Sequence, residues 1–465
     1  MAAWSINNSI RTPLLLLGMG ELLVLFSSVY VGALILYGSI ENCENVVGRL
    51  EPRALGIAFV MLISLISMGL YDFHQRINFR EILVRITVGF ALGISVLAAV
   101  SYAFPAWTVA WDLITVSVAY ALVLLLTVRF FFFRRVDENK FRHRTLVYGA
   151  GERAGAIADL RRKADRRGFK IVGSVPAPGD KEEFERNGIL IRDKPIDWLA
   201  RELGADEIVI AMDDRRGNLP VRQLLNCRLK GIEVIDLLEF LERETGKIRI
   251  DIVNPGWLIF SPGFRSSAAR RFLKRAVDFL VSLIILIFTW PVLLIIALAI
   301  KIEDGPRSPI LYRQTRVGDH GAPFSVLKFR SMREDAEADG QAVWAKQNDG
   351  RITRVGHVLR KYRLDEFPQL FNVIRGQMSL VGPRPERPEF VDHLSESIPY
   401  YSERHTVKPG ITGWAQLRYS YGSSDEDAIE KLQYDLYYVK NHNLLLDLVI
   451  LLQTVEVVLW GKGAR

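Results

Sequence analysis

The chain has 465 residues, of which 49% are hydrophobic and 24% charged, with a net charge of +8 and a mean hydropathy of +0.14. This mixture fits a protein of about three domains, part membrane and part water-soluble, and the positive charge suits a membrane surface or phosphorylated substrates. No stretch interleaves aromatic with basic residues as nucleic-acid binding would require, and two cysteines in different compartments, Cys43 and Cys227, make no disulfide or zinc framework.

Residues 1–13 lack the cationic start of a cleaved signal peptide, and the apolar run behind them is too long for one. That run reads as a first span. Four apolar segments, Leu14–Tyr37, Ala54–Tyr71, Ile86–Phe104 and Val109–Val128, each come close to the ~20 residues a helix needs to cross a bilayer. Arg49 and Arg53 lie in one set of loops, whereas Arg11, Arg76, Arg80, Arg85, Arg129, Arg134, Arg135, Lys140, Arg142 and Arg144 lie in the other. The excess of positive charge places both ends of a four-helix transmembrane bundle, residues 1–135, in the cytoplasm. Glu21 falls inside the first span, where a charge is costly; the sequence gives it no role.

Over residues 144–253 the pattern changes to short β-branched runs, Thr145–Tyr148, Lys170–Val175, Glu207–Ala211 and Glu233–Ile235, alternating with charged, helix-like stretches. Such alternation predicts a Rossmann-like α/β domain with a parallel sheet. The first strand runs into Gly149-Ala150-Gly151-Glu152-Arg153-Ala154-Gly155, close to a dinucleotide-binding turn but with its last glycine one place late. The acidic residue expected ~20 positions further on to hold a ribose is missing. The domain is therefore expected to be structural or regulatory, with a bound nucleotide left open.

Residues 276–300 are again apolar and long enough to span, yet Arg270, Arg271, Lys274 and Arg275 precede them and Lys301, Arg307, Arg313 and Arg316 follow. Positive charge at both ends places both in the cytoplasm. Pro291, near the middle, predicts a sharp bend. The expected outcome is a re-entrant helix that enters one leaflet and returns.

The segment Arg360 to Pro385 sets Asp365 and Glu366 just behind Arg360 and Arg363 and just ahead of an apolar run that Pro368 can start as a helix. Free N–H groups at that start, with arginines near, would make a phosphate site in which a carboxylate is nucleophile or metal ligand. Alternatively, Asp365 caps the helix and Glu366 stabilises its first turn. The last apolar segment, Leu444–Trp460, is interrupted by Asp447, Gln453 and Glu456, and reads as a helix packed on the core or lying on the membrane.

Over residues 270–460 a series of ordered motifs resembles the polyprenyl-phosphate hexose-1-phosphate transferases, membrane-associated phosphoglycosyl transferases of bacterial glycan assembly. The motifs are Gly305-Pro306, Tyr312-Arg313-Gln314-Thr315-Arg316-Val317-Gly318, Lys328-Phe329-Arg330-Ser331-Met332, Leu364-Asp365-Glu366-Phe367-Pro368-Gln369-Leu370, Ser379-Leu380-Val381-Gly382-Pro383-Arg384-Pro385 and Lys408-Pro409-Gly410-Ile411-Thr412-Gly413-Trp414. The resemblance implies a mainly α catalytic domain over 264–465 that carries the re-entrant helix 276–300. It also implies transfer of a sugar 1-phosphate from a UDP-sugar to undecaprenyl phosphate at the cytoplasmic face of the bacterial inner membrane, with release of UMP, as a first step of exopolysaccharide assembly.

By the same resemblance Asp365 is the nucleophile that takes the phosphosugar covalently, and Glu366 binds Mg2+. Arg384, restricted by Pro383 and Pro385, joins Lys328, Arg330 and Arg360 in binding substrate phosphate. Arg313 and Arg316 are expected at lipid headgroups. Gln377 departs from the family, which is commonly acidic there, and Phe367 replaces the usual Leu. His357, His393 and His405 have no metal spacing. The bundle and second domain offer ample surface for a homodimer. A membrane-anchored nucleotide sensor or scaffold is the alternative; a transporter fits poorly, because the spans lack clustered charges.

Overall fold

A chain shielded from water must satisfy its own N–H and C=O groups, so the long apolar runs form helices. The computed structural model describes residues 8–71, 79–103, 109–135, 142–160, 163–166, 168–180, 191, 194–215, 218–253, 255–261, 263–264, 267–333, 350–419 and 424–460. It divides into two compact units, Ala3–Thr245 and Gly246–Arg465. The first unit opens with α1 (Asn8–Tyr37), the short α2 (Ile40–Val47), α3 (Leu50–Ser67), α4 (Phe79–Ala103) and α5 (Trp111–Arg135). All but α2 contain 18 to 23 residues apolar enough to cross a membrane. The expected segments sit on these helices with shifted ends. Phe104, and the cationic Arg76 and Lys140, lie outside the described residues.

Glu21 on α1 is fully buried and meets Arg129 on α5, which donates to it through Nε at 2.6 Å and Nη2 at 2.9 Å. The Tyr71 hydroxyl donates to the same carboxylate. A buried charge costs little only when paired and hydrogen-bonded in this way, so the pair ties the first apolar helix to the last. Here is the role that the sequence left blank.

The second part of the unit is a parallel sheet of β1 (His143–Tyr148), β2 (Phe169–Val175), β3 (Glu207–Ile210) and β4 (Glu233–Asp236), in the order β2-β1-β3-β4. All four expected strands are present. The helices α6 (Glu152–Ala158), α7 (Ile196–Glu202), α8 (Val221–Leu229) and α9 (Leu237–Thr245) alternate with them. Leu146, Leu199, Ile208 and Met212 form the core.

At the glycine-rich turn Gly149 has φ +126°, and a Cβ there would come within 2.4 Å of the Ala211 carbonyl, so only glycine fits. The N–H groups of this turn are taken by the chain itself. Asp213 accepts from Glu152 N at 3.1 Å and Arg153 N at 2.8 Å, while Asp180 accepts from Ala150 N at 2.8 Å and Ala177 N at 2.9 Å. A Cβ on Gly151 would strike the Asp213 carboxylate at 2.1 Å. The two aspartates thus stand where a dinucleotide fold holds its pyrophosphate.

The second unit is mainly helical: α10 (Pro255–Phe260), α11 (Ala268–Asp304), α12 (Arg354–Lys361), α13 (Gln369–Arg375), α14 (Pro388–Ser397), α15 (Trp414–Arg418), α16 (Asp425–Asn441) and α17 (Leu444–Trp460). Two small sheets complete it, an antiparallel hairpin of β5 (Leu311–Val317) and β6 (Pro323–Phe329), and a parallel pair of β7 (Ser379–Val381) and β8 (Gly410–Thr412). α11 runs through Pro291 as one helix of 37 residues, so helical hydrogen bonding continues past the proline at which a sharp bend was expected. A proline removes a single N–H, and in a long helix the flanking turns keep the rest of the ladder; the Thr289 hydroxyl also donates to the Ile285 carbonyl at 2.7 Å. α17 packs on the core through Ile450, with Asp447 buried and bonded to Lys274 at 2.7 Å.

Candidate active site

Four segments of the second unit converge on the acidic pair. α12 ends at Lys361 and Arg363 adopts the left-handed conformation, φ 56°, so the chain reverses into a 3-10 turn over Leu364–Glu366. A non-glycine residue in that region costs on the order of 1–3 kcal/mol, and it persists where the surroundings hold it. α12 is fixed from both sides. Glu303 at the end of α11 accepts from Arg354 N and Val355 N at 2.7 and 2.8 Å, and Gly356 lies so close to the Ser331 carbonyl that a Cβ would sit 2.0 Å from it.

Pro368 starts α13 as expected, but the free N–H groups proposed for phosphate are largely gone. Glu366 N and Phe367 N bond to Arg363 O and Leu364 O, and Leu370 N and Phe371 N bond to Phe367 O and Pro368 O. The 3-10 turn runs straight into the helix and uses them internally. Nor does Asp365 cap α13, whose first residue follows Pro368 without a side-chain cap. Anion binding here falls to side-chain cations.

Those cations stand around the carboxylates. Arg384, on the loop after β7, donates through Nη2 to Glu366 Oε1 at 2.7 Å, and Lys328 Nζ on β6 lies 3.6 Å from the same oxygen. Burial pushes the Glu366 carboxyl up, but Arg384 and Lys328 together hold it well below the usual range. Burial lowers the Lys328 ammonium, with Glu366 opposing.

Asp365 differs. It makes neither hydrogen bond nor ion pair among the described residues, and it is half-buried. Burial first, then the charge of Glu366, raises its pKa, against the lowering fields of Lys328, Arg384 and Arg360. The pair is therefore split into a clamped glutamate and an open aspartate.

Arg330 is buried and turned to Asp304, which it meets at 2.7 Å. Arg316, expected at headgroups, donates within the protein to Gln314 Oε1 at 2.5 Å and to Pro385 O at 3.3 Å. Pro383 and Pro385 act through their carbonyls, Pro383 O accepting from Gly410 N at 2.9 Å. His357 and His393 are exposed, whereas burial and Arg404 hold the His405 imidazole down at about 4. Among the described residues no three acidic, histidine or cysteine side chains converge on one point as metal ligands. A magnesium ion asks for only one or two carboxylates when substrate phosphates and water supply the rest, and the Asp365–Glu366 pair fits that demand.

A family profile described as "Bacterial sugar transferase" matches residues 269–461, from α11 to α17. The chain is 41% identical over 247 residues to a UDP-N-acetylgalactosamine-undecaprenyl-phosphate N-acetylgalactosaminephosphotransferase of Aeromonas hydrophila, a match covering 52% of this chain and 56% of that protein. It is 32% identical over 340 residues to an undecaprenyl-phosphate glucose phosphotransferase of Komagataeibacter xylinus, covering 70% of this chain and 61% of the relative. A UDP-glucose:undecaprenyl-phosphate glucose-1-phosphate transferase of Klebsiella pneumoniae is 36% identical over 337 residues, 70% of this chain and 69% of its own. The chain belongs to the bacterial sugar transferase family. The first two matches span less than two thirds of the relatives' own lengths.

Within this member of the family several supporting residues escaped the sequence reading. Asn372, fully buried on α13, accepts from Leu327 N at 3.0 Å and donates to Ser325 O at 2.7 Å, fixing β6 and thereby Lys328. It also donates to Gln377 Oε1 at 2.9 Å. The departure at Gln377 thus meets an amide, a bond that an acceptor-only carboxylate could also make. Arg404 and Asp435, both buried, meet at 2.8 Å behind Arg384. Only the packing of Asn372 beside the family motif gave any signal; the Arg404–Asp435 pair, 31 positions apart, gave none.

Proposed function

We propose that this chain transfers a sugar 1-phosphate from a nucleotide diphosphate sugar to a polyprenyl phosphate, in two steps through an adduct on Asp365. The observation that carries the reading is the split of the acidic pair, with Glu366 clamped by Arg384 and Lys328 and Asp365 left open among cations. The relatives are named for UDP-N-acetylgalactosamine, UDP-glucose and undecaprenyl phosphate. We carry over the UDP-sugar and undecaprenyl classes, and the opening step of exopolysaccharide assembly.

In the first step a carboxylate oxygen of Asp365 attacks the phosphorus bearing the sugar. The P–O bond to UMP breaks and UMP leaves with the electron pair. In the second step a phosphate oxygen of the lipid attacks the same phosphorus and Asp365 departs as carboxylate. Both nucleophiles are anions, so neither step needs a general base, and two anionic substrates need not be held at once. The work of the protein is charge: Lys328, Arg360 and Arg384 offset the build-up on phosphate oxygens. Bound magnesium, held by Glu366, would neutralise the diphosphate and the leaving UMP.

The membrane arrangement is part of the same proposal. α1, α3, α4 and α5 form a four-span bundle in the inner membrane, and α11 enters from the cytoplasmic side without crossing. Both ends of α11 are bonded within one unit, Arg275 to Ile374 O at 2.5 Å and Glu303 to Arg354 N at 2.7 Å, which supports a single side for both. Cysteines placed at 272 and 302 should react with an impermeant thiol reagent from the cytoplasmic side only; labelling of one from each side would refute re-entry. The sensor alternative loses support because Asp180 and Asp213 occupy the N–H groups a nucleotide phosphate would need.

The test is a panel of UDP-sugars offered with undecaprenyl phosphate and Mg2+, read as UMP release. Mass spectrometry before lipid is added should find a phosphosugar on Asp365; a fully active Asp365→Asn enzyme would end the nucleophile assignment.

A further inference from the structure

The loop that carries Arg384 is held by its carbonyls. Two of its residues, Pro383 and Pro385, have no N–H to give. Val381 O accepts from the Tyr438 hydroxyl at 2.9 Å, Pro383 O from Gly410 N at 2.9 Å, Pro385 O from Arg316 at 3.3 Å and Glu386 O from Val317 N at 2.9 Å. The carbonyl of Arg384 itself is held by Arg404, whose Nη2 donates to it at 3.0 Å.

Arg404 has little freedom to move. Its side chain is buried, and the same Nη2 donates to Asp435 Oδ2 at 2.8 Å while Nη1 donates to the Tyr401 hydroxyl at 2.7 Å. Asp435, on α16, is 2% exposed, and burial raises its pKa against the lowering field of Arg404. A buried ion pair of this kind is a weak source of stability when compared with apolar packing of the same volume. Its value lies in geometry. A planar guanidinium carries its donors in a fixed fork and can hold one carbonyl, one carboxylate and one hydroxyl in set directions, whereas an ammonium gathers its three donors at one point on a flexible stem.

We infer that Arg404, anchored by Asp435 and Tyr401, is a positioning residue that sets the aim of Arg384 at Glu366 and so at the donor's diphosphate. The inference rests on the proposed transfer reaction and deepens it. Arg404 acts through Arg384 and touches neither Asp365 nor Glu366 in any bond among the described residues. A shift of about 1 Å at a charge-stabilising group is costly, since such groups act by being in place beforehand.

The test is a double-mutant cycle on the purified full chain, with UMP release as the signal. Arg404→Lys keeps the charge but loses the fork; it should lower kcat about 10- to 100-fold with KM for the donor little changed, because a loosened Arg384 fails the transition state more than the ground state. Combined with Arg384→Met, it should add almost nothing. A loss from Arg404→Lys that multiplies with that of Arg384→Met, or one that falls on KM with kcat unchanged, would overturn the inference. Asp435→Asn offers a second route to the same coupling if Arg404→Lys folds poorly. The failures are separable: activity in Asp365→Asn sinks the reaction, whereas wild-type behaviour of Arg404→Lys beside an inactive Asp365→Asn sinks only the positioning role.

Discussion

Two places in this molecule put a pair of carboxylates at a tight turn just before a short helix, and they put them to opposite use. At the turn before α6, Asp180 and Asp213 accept four N–H groups between them, from Ala150, Ala177, Glu152 and Arg153. At the turn before α13 the backbone N–H groups are spent on a 3-10 turn, Glu366 meets side-chain cations instead, and Asp365 stands open beside it. A carboxylate satisfied by backbone is a building part. One that meets side-chain cations can exchange them for a phosphate. The lesson is that an acidic residue beside a glycine-rich or proline-started helix says little until its partners are known.

The comparison breaks most sharply at Asp365. Asp365→Asn should lower turnover by about 10⁴-fold or more, the scale of losing a covalent nucleophile, with the helical circular dichroism unchanged. Next comes Arg384→Met, expected to cost about 10²-fold in kcat, as for other charge-stabilising donors. Its pH dependence has a definite sign. In the proposed reaction Asp365 must be ionised to attack, its carboxyl is already raised by burial and Glu366, and removing a neighbouring cation raises it further. Activity should therefore be lost at a higher pH on the acid side than in the parent, and a limb that moves downward would contradict the assignment.

At the other turn the effects should fall on stability alone. Asp213→Ala leaves two N–H groups without their acceptor and should cost about 1–3 kcal/mol, read as a lower melting temperature of the first unit, with UMP release per folded molecule unchanged. The mildest outcome is for added NAD+. Calorimetric titration of the full chain should give no heat of binding, and saturable heat would mean that a nucleotide displaces the two aspartates.

Much of this was written locally. The β-branched runs at Thr145, Lys170, Glu207 and Glu233 marked the four parallel strands because a buried strand needs such residues in succession. Asp365 and Glu366 stood out because their neighbours in sequence repeat a known motif. Pairings made across the fold did not. Arg330 reaches Asp304 across 26 positions, and Asp213 reaches Glu152 across 61, and no periodicity connects such partners. Pro291 marks the limit of a local rule, since one missing hydrogen bond does not interrupt the 37-residue helix.

The tie between Glu21 and Arg129 links positions 108 apart. A ribosome that has just released the first apolar helix has yet to make its counter-ion, and an acid alone in lipid is expensive. With these helices spanning the membrane as proposed, biogenesis must shelter the first of them, in the insertion machinery or against its early neighbours, until the last one is threaded. The four helices should then settle as a set, with the guanidinium as the closing piece.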